Sequence, residues 1–269
     1  MKMMKSPLDG LKVLELARVL AGPWAGQLLA DLGAEVIKVE SPVGDETRKW
    51  GEDSFNNNSS YFKCTNRGKS SFVANFKNKN ELEMVQYLAK NADIIIENYK
   101  VNNLKKYKLD YKNIKKHNKS IIYCSITGFG QNGPLALLPG YDFVIQAMAG
   151  IMSITGEKDG PPIKPGVAYA DIFTSLYSVI AIQAALHSRK KTGIGSFIDM
   201  SLYDTQLAVL ANQASTYLLN DKEPKRMGNK HPSIVPYQLF EAKDGDIIIA
   251  CGNDQQFKSL CSAFKWDFA

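Results

Sequence analysis

The sequence predicts an α/β fold, a doubly wound domain built on a parallel sheet, with a smaller α+β region after it. Three observations predict this. Short apolar runs of strand length alternate with runs of helix length through the first 130 or so residues. A strand–helix–strand succession places consecutive strands parallel, with helices covering the sheet. Hydrophobic residues make up 45% of the 269 residues and charged ones 22%, which is globular composition with material for a sizeable core.

Each element follows in order. LKVLEL (11–16) reads as a strand, turned by ARVLAGP, where Pro23 suits the first position of a helix. Residues 23–34 read as that helix, ending near Gly33, and AEVIKVE (34–40) as the next strand. SSFVANF (70–76) is a strand, KNELEMVQYLAKNA a helix, DIIIENY (93–99) a strand and NNLKKYKL a short helix. SIIYCSITGFG (120–130) is a strand running into a glycine loop. After about residue 140 the pattern changes. YDFVIQAMAGIMSITG and DIFTSLYSVIAIQAALHSRKK read as helices, and 195–220 as a strand passing into one long helix. IVPYQLFEAKDGDIIIACG reads as a hairpin turned at Asp244-Gly245, and QQFKSLCSAF as a last helix. The expected division is a large α/β domain over 1–200, then a linker helix and the start of a small domain over 201–269.

Composition bounds the function. Lys plus Arg is 33 against 27 acids, a formal charge of +6, and the lysines are spread rather than gathered in one block. A solvated face accounts for them, so no nucleic-acid partner is expected, although a basic rim suits a polyanionic small molecule. Cys64, Cys124, Cys251 and Cys261 lie far apart with no CxxC pair, so free thiols in a reducing compartment are expected, with no metal. The basic start MKMMKSPLDG lacks an apolar signal core, and no run approaches the length of a membrane span. A cytoplasmic protein without a membrane partner is the expectation.

General motifs give little. The first turn carries ARVLAGP where a dinucleotide-binding fold carries GxGxxG, so a lone Glu40 at the end of the second strand reads as a surface residue and NAD is not expected. GxSxG, the P-loop and HExxH are absent, and His117, His187 and His231 show no catalytic or metal spacing. Tyr141-Asp142 after Pro-Gly reads as a helix start. Asp171 heads a long apolar run, where an aspartate caps a helix by accepting bonds from its orphan N–H groups.

Beyond these, LDGLKVLELARVLAGPWAGQLLADLGAEVIKVESPVGDETRKWG resembles the N-terminal signature of the class III CoA transferases. NRGKSSFVANFKN, DIIIENYKVNNLKKYKLDY, ITGFGQNGP, PGYDFVIQAMAGIMSITG and KPGVAYADIFTSLYSVIAIQAAL resemble further blocks of that family in the same order. The likeness covers roughly residues 8 to 262, and the stretch from 234 on looks most like the branch that uses dicarboxylic acids. The resemblance implies a Rossmann-like large domain with a smaller domain, and an interlocked homodimer for a full-length chain. It implies CoA transfer from an acyl-CoA, plausibly succinyl-CoA, with CoA as substrate and no tightly bound cofactor.

In that family the aspartate at the position of Asp171 is the nucleophile that forms an acyl anhydride. A helix N-terminus would hold it ionised and fixed in direction, so the capping and nucleophile readings are compatible. The racemase branch has a histidine base where this chain has Tyr141, and a tyrosine with pKa near 10 is a poor base. Transfer is therefore expected over racemisation. An inactive remnant of the family and a dinucleotide-binding dehydrogenase are its remaining rivals. For CoA the resemblance points to Ala21, Lys77, Asn98, Tyr99 and Lys106, the last standing where many members have the bidentate fork of an arginine. Trp50 and Tyr61 match aromatic positions near substrate, and Leu20 falls where the oxalate enzyme has a glutamine. Family members run well past this length, so a C-terminally shortened member is expected.

Overall fold

The structure, a computed structural model, describes residues 6–51, 54–55 and 58–267. It falls into two compact units, 1–149 with 167–209 and 150–166 with 210–269. The first unit holds β1 (Lys12–Leu16), α1 (Ala21–Asp31), β2 (Glu35–Glu40), the two-residue strands β3 (Ser54–Phe55) and β4 (Asn58–Ser59), and α2 (Ser60–Asn66). It continues with β5 (Lys69–Val73), α3 (Lys79–Asn91), β6 (Ile94–Glu97), α4 (Tyr111–Lys115), β7 (Ile122–Thr127) and α5 (Asp142–Met148). α6 (Tyr169–Thr192), β8 (Phe197–Ser201) and α7 (Leu202–Ala208) complete it.

Six of these strands form one sheet in the order β5-β2-β1-β6-β7-β8. Every pairing in it is parallel. The order runs outward in both directions from β1 and β6, so the chain reverses its winding between them. Open sheets of this kind bind ligands beyond the C-terminal ends of the two strands at that switch point. The central strands β1, β6 and β7 are buried on both faces, as inner strands of a parallel sheet are. Val13, Ile94, Ile96, Ile122, Cys124 and Ile126 pack with Ala25 and Leu29 of α1 and Ala170, Ile182 and Ala185 of α6. Leu14, Ile95 and Tyr123 point the other way, onto Val85 and Ala89 of α3 and Ile114 of α4.

The pattern reading meets its elements with some corrections. α1 begins two residues before Pro23, whose missing N–H is still harmless in the first turn. By length and composition α6 could cross a bilayer, against the expectation that no run could. Its apolarity has another use here, since it packs on α1, α5, α7, β7 and β8. The single long helix expected after β8 is two, because Ala211 takes φ +48°, a left-handed conformation that ends helical continuation. α7 therefore stays with the first unit, where Leu202 is buried in the core, and α8 (Ala211–Asn220) begins the second.

The expected boundary at 200 differs from this division in a further place. Residues 150–166 join the second unit, where Gly156 O accepts from Gly228 N at 2.9 Å and Ser153 O from Arg226 Nη1 at 3.2 Å. That unit also holds the hairpin β9 (Tyr237–Ala242) and β10 (Gly245–Ala250), then α9 (Asp254–Phe264). Gly245 pairs with Ala242, so the turn falls on Lys243-Asp244, one residue before the expected position.

Candidate active site

The turn after β1 is strained and held from several sides. Val19 sits at φ +70°, rare for a β-branched residue. Its N–H donates to Asp45 Oδ2 at 3.3 Å, and Lys38 Nζ donates to Ala17 O at 2.7 Å. Arg18 N–H donates to Asn98 Oδ1 at 3.0 Å, while Asn98 Nδ2 donates back to Arg18 O at 2.7 Å. Asn98, expected as a CoA contact, thus spends its amide on joining the ends of β1 and β6.

Beneath that turn lies a buried ionic network. Lys38, 1% exposed, pairs with Glu15 and Asp45, each at 3.0 Å, and Lys69 pairs with Glu15 at 2.7 Å. Burial alone would lower both lysines. Glu15 and Asp45 together keep Lys38 above the usual range, whereas Lys69 falls to about 8. Glu40 is not the surface residue expected of a strand end. Burial would raise its carboxyl, but hydrogen bonds from Arg48 and Ser71 bring it down to about 2. It also accepts from Asp45 N–H at 2.9 Å, so it locks the 41–48 loop against the sheet.

Asp171 is the third residue of α6, and Ala168 at the N-cap makes no side-chain bond. Asp171 therefore does not cap its own helix. The cap comes from α5, where Asp142 Oδ1 accepts from Ala170 N–H at 2.9 Å and Asp171 N–H at 3.2 Å. Asp142 Oδ2 is in turn held by Gln146 Nε2 at 2.7 Å. Two glycines set where Asp142 stands. A Cβ on Gly128 would lie 2.6 Å from Gly140 Cα, so only a glycine pair lets the loop after β7 press on the turn before α5. Ser175, one turn along α6, reaches Ala21 O at 2.6 Å and Asp171 O at 2.8 Å, tying α6 to the first turn of α1.

Asp171 is only 9% exposed. Burial, and then the negative charge of Asp142, push its carboxyl up to about 7. The expectation that the helix dipole would dominate is thus reversed, because desolvation of a buried carboxylate outweighs a dipole contribution of about 1 kcal/mol. Tyr61 is pushed up to about 12, first by burial and then by the charge of Asp171. Its ring meets Trp50 edge-on at 5.2 Å between centroids.

Asp171 lines a cleft of about 150 Å³ whose walls are residues 18–21, 98–101, 126–128 and 136–142, with Glu46 and Leu202. The cleft opens at the switch point of the sheet. Of the expected site residues, Asp171, Tyr141, Ala21, Asn98 and Tyr99 line it together, as does Leu20. Tyr141 is 63% exposed at its edge. Trp50 lines a neighbouring depression with Arg18, Ser41 and Lys49, sharing Arg18 and Glu46 with the cleft. Lys77 and Lys106 lie outside the lining and are exposed. Lys106 Nζ stands 4.8 Å over the Tyr107 ring, which reaches Tyr99 through Phe76.

Asp142, Lys38 and Asp45 escaped the sequence reading. Asp142 was visible as a helix-start residue, but no local spacing shows that the helix it caps is 28 residues on. Among the described residues, no group of three His, Cys, Asp or Glu side chains could hold a metal ion.

Comparison with known proteins bears on the family and the fold. A family model described as CoA-transferase family III matches residues 8–267. A succinate–glutarate CoA-transferase of Agrobacterium fabrum is 54% identical over 265 residues, covering 96% of this chain and 66% of that protein. The succinyl-CoA:glutarate CoA-transferase of Mus musculus is 49% identical over 256 residues, covering 95% of this chain and 59% of the mouse protein. The crystal structure of a CAIB/BAIF family protein from Brucella suis superposes with a TM-score of 0.90 at 56% identity, covering 98% of this chain and 71% of that one. The chain spans less than two thirds of the length of these two curated relatives.

Proposed function

We propose, because this chain belongs to CoA-transferase family III, that it moves CoA from succinyl-CoA to a dicarboxylic acid through an anhydride on Asp171. The observation that carries this reading is a buried carboxylate, Asp171, lining a cleft at the switch point of a parallel sheet. The two glutarate-handling relatives support the choice of donor and acceptor class.

The chemistry follows from the carboxylate. Asp171 attacks the thioester carbonyl, the C–S bond breaks, and CoA leaves as thiolate. The thiolate then attacks the aspartyl carbonyl of the anhydride and releases the donor acid, leaving CoA on Asp171. The acceptor carboxylate attacks this thioester, forming a second anhydride and freeing the thiolate. Attack of the thiolate on the acceptor's own carbonyl gives the new acyl-CoA and restores Asp171. No water enters and no net proton moves, so each activated bond is exchanged for another.

Both anhydrides must be kept from hydrolysis, and Leu20, Ile126 and Leu202 supply apolar lining for that. A carboxylate whose pKa is raised is also a better nucleophile once ionised. Acyl-CoA comes and goes as substrate in this reading. The homodimer and the reducing, cytoplasmic setting belong to the same proposal, the latter in keeping with four free cysteines.

The test is mass spectrometry after incubation with succinyl-CoA and hydroxylamine, which converts an aspartyl anhydride or thioester to a hydroxamate. A hydroxamate on Asp171 that disappears in Asp171→Ala is expected. A CoA-binding chain with Asp171 unmodified would sink the anhydride route.

A further inference from the structure

One buried acid plays no part in the chemistry above. Glu97, the last residue of β6, lies in register between Leu16 of β1 and Ser125 of β7 and is 6% exposed. Burial pushes its carboxyl up to about 7, hydrogen bonds from Ser125 and Tyr99 act against that, and no cation stands beside it among the described residues. An acid kept in such a place needs both oxygens satisfied, since an unpaired buried polar atom is costly.

Both are. Glu97 Oε2 accepts from Tyr99 N–H at 2.8 Å, and Oε1 accepts from the Ser125 hydroxyl. Ser125 Oγ itself accepts from Gln131 Nε2 at 2.9 Å. Gln131 N–H donates to Asp199 Oδ2 at 3.0 Å, in the neighbouring strand β8. The bonds form an unbroken chain under the cleft. At one end is the 98–101 wall and at the other the glycine loop that leads into the 136–142 wall.

We propose that Glu97 is a positioning residue that couples these two walls, holding the cleft at the width an acyl-CoA needs. The inference rests on the acyl-CoA reading of the cleft. Glu97→Gln preserves the coupling. Its Oε1 can accept from Tyr99 N–H, and its Nε2 can donate to Ser125 Oγ. The Ser125 hydroxyl then turns to Gln131 Oε1 after an amide flip. Glu97→Ala has no such route.

The test compares wild type, Glu97→Ala and Glu97→Gln by hydrogen exchange of the ligand-free chain, calorimetric titration with CoA, and hydroxamate yield at saturating succinyl-CoA. Glu97→Ala is expected to speed exchange at both 98–101 and 128–133 and to weaken CoA binding about tenfold, the loss of roughly one hydrogen bond's worth of affinity. Its hydroxamate yield at saturation should match wild type, and Glu97→Gln should restore protection and affinity. A 128–133 loop as protected in Glu97→Ala as in wild type overturns the coupling. So does unchanged CoA affinity, or a glutamine variant no better than alanine.

If the alanine variant does not fold, Ser125→Ala cuts the same chain at its middle. It should free 128–133 while 98–101 stays protected, and a loop still protected there counts against the proposal. A wild type that gives no hydroxamate defeats the anhydride reading alone, because the exchange experiment needs no substrate.

Discussion

At the scale of single residues, Asp171 is held at a cost to the fold. Its folded pKa of about 7 lies above the ordinary carboxylate value. The folded chain therefore binds more protons than the unfolded one between pH 4 and 7, and wild-type stability falls as pH rises through that window. The full penalty, at most ~4 kcal/mol for a shift of that size, is in place above pH 7. Asp171→Asn carries no charge, so its melting temperature should exceed that of wild type by several degrees at pH 8 and by much less at pH 4. Calorimetry at the two pH values decides it, and an equal offset at both would contradict the burial argument. With Asp171 as the nucleophile proposed above, transfer activity is expected to rise with pH through about 7, and a flat pH profile would count against that role.

Elements matter where one positions another. The cap on α6 is an aspartate of α5, placed by the contact of Gly128 with Gly140. Asp142→Ala should cost about 1 kcal/mol or more as a lost helix cap, and should lower the hydroxamate yield at Asp171, whose own N–H it fixes. A variant with full yield would separate the cap from the chemistry. Gly128→Ala brings a Cβ against backbone, with no flexible side chain to yield. It should destabilise the chain by ~1–3 kcal/mol through overpacking, read as a lower urea midpoint. An unchanged midpoint would show that the two turns can part freely.

At the scale of the whole molecule, one side of the first unit's sheet is tied together by charges inside it. Lys38 and Lys69 among Glu15 and Asp45, with Arg48 on Glu40, join β1, β2, β5 and the 41–48 loop to the strained turn at Val19. Lys38→Met leaves two carboxylates buried with one lysine between them. A broken buried network of this kind costs on the order of 3–5 kcal/mol, so the urea midpoint should fall steeply and the turn at Val19, which lines the cleft, should loosen. A midpoint near that of wild type would mean water reaches the network.

The sequence by itself determined the large elements. Apolar-rich runs of strand length such as DIIIENY and SIIYCSITGFG mark the strands, and the strand–helix alternation declares parallel pairing. The succession of motifs pointed to Asp171 with no tertiary information. Glu40 was misread, and the second role of Asp142, which does start α5, was missed, because a carboxylate at an element's end looks alike whether it faces water, an arginine or a distant helix. The break at Ala211 gave no composition signal, since it is set by where the chain passes between its two units. Only the tertiary structure decided that Asp142 caps α6, that Asn98 ties β1 to β6, and that Asp171 is buried enough to lie near pH 7. The physical reason is common to all three. Local pattern reports which residues prefer burial or a turn, while the partner of a buried polar group, and the desolvation it suffers, depend on what the rest of the chain brings beside it.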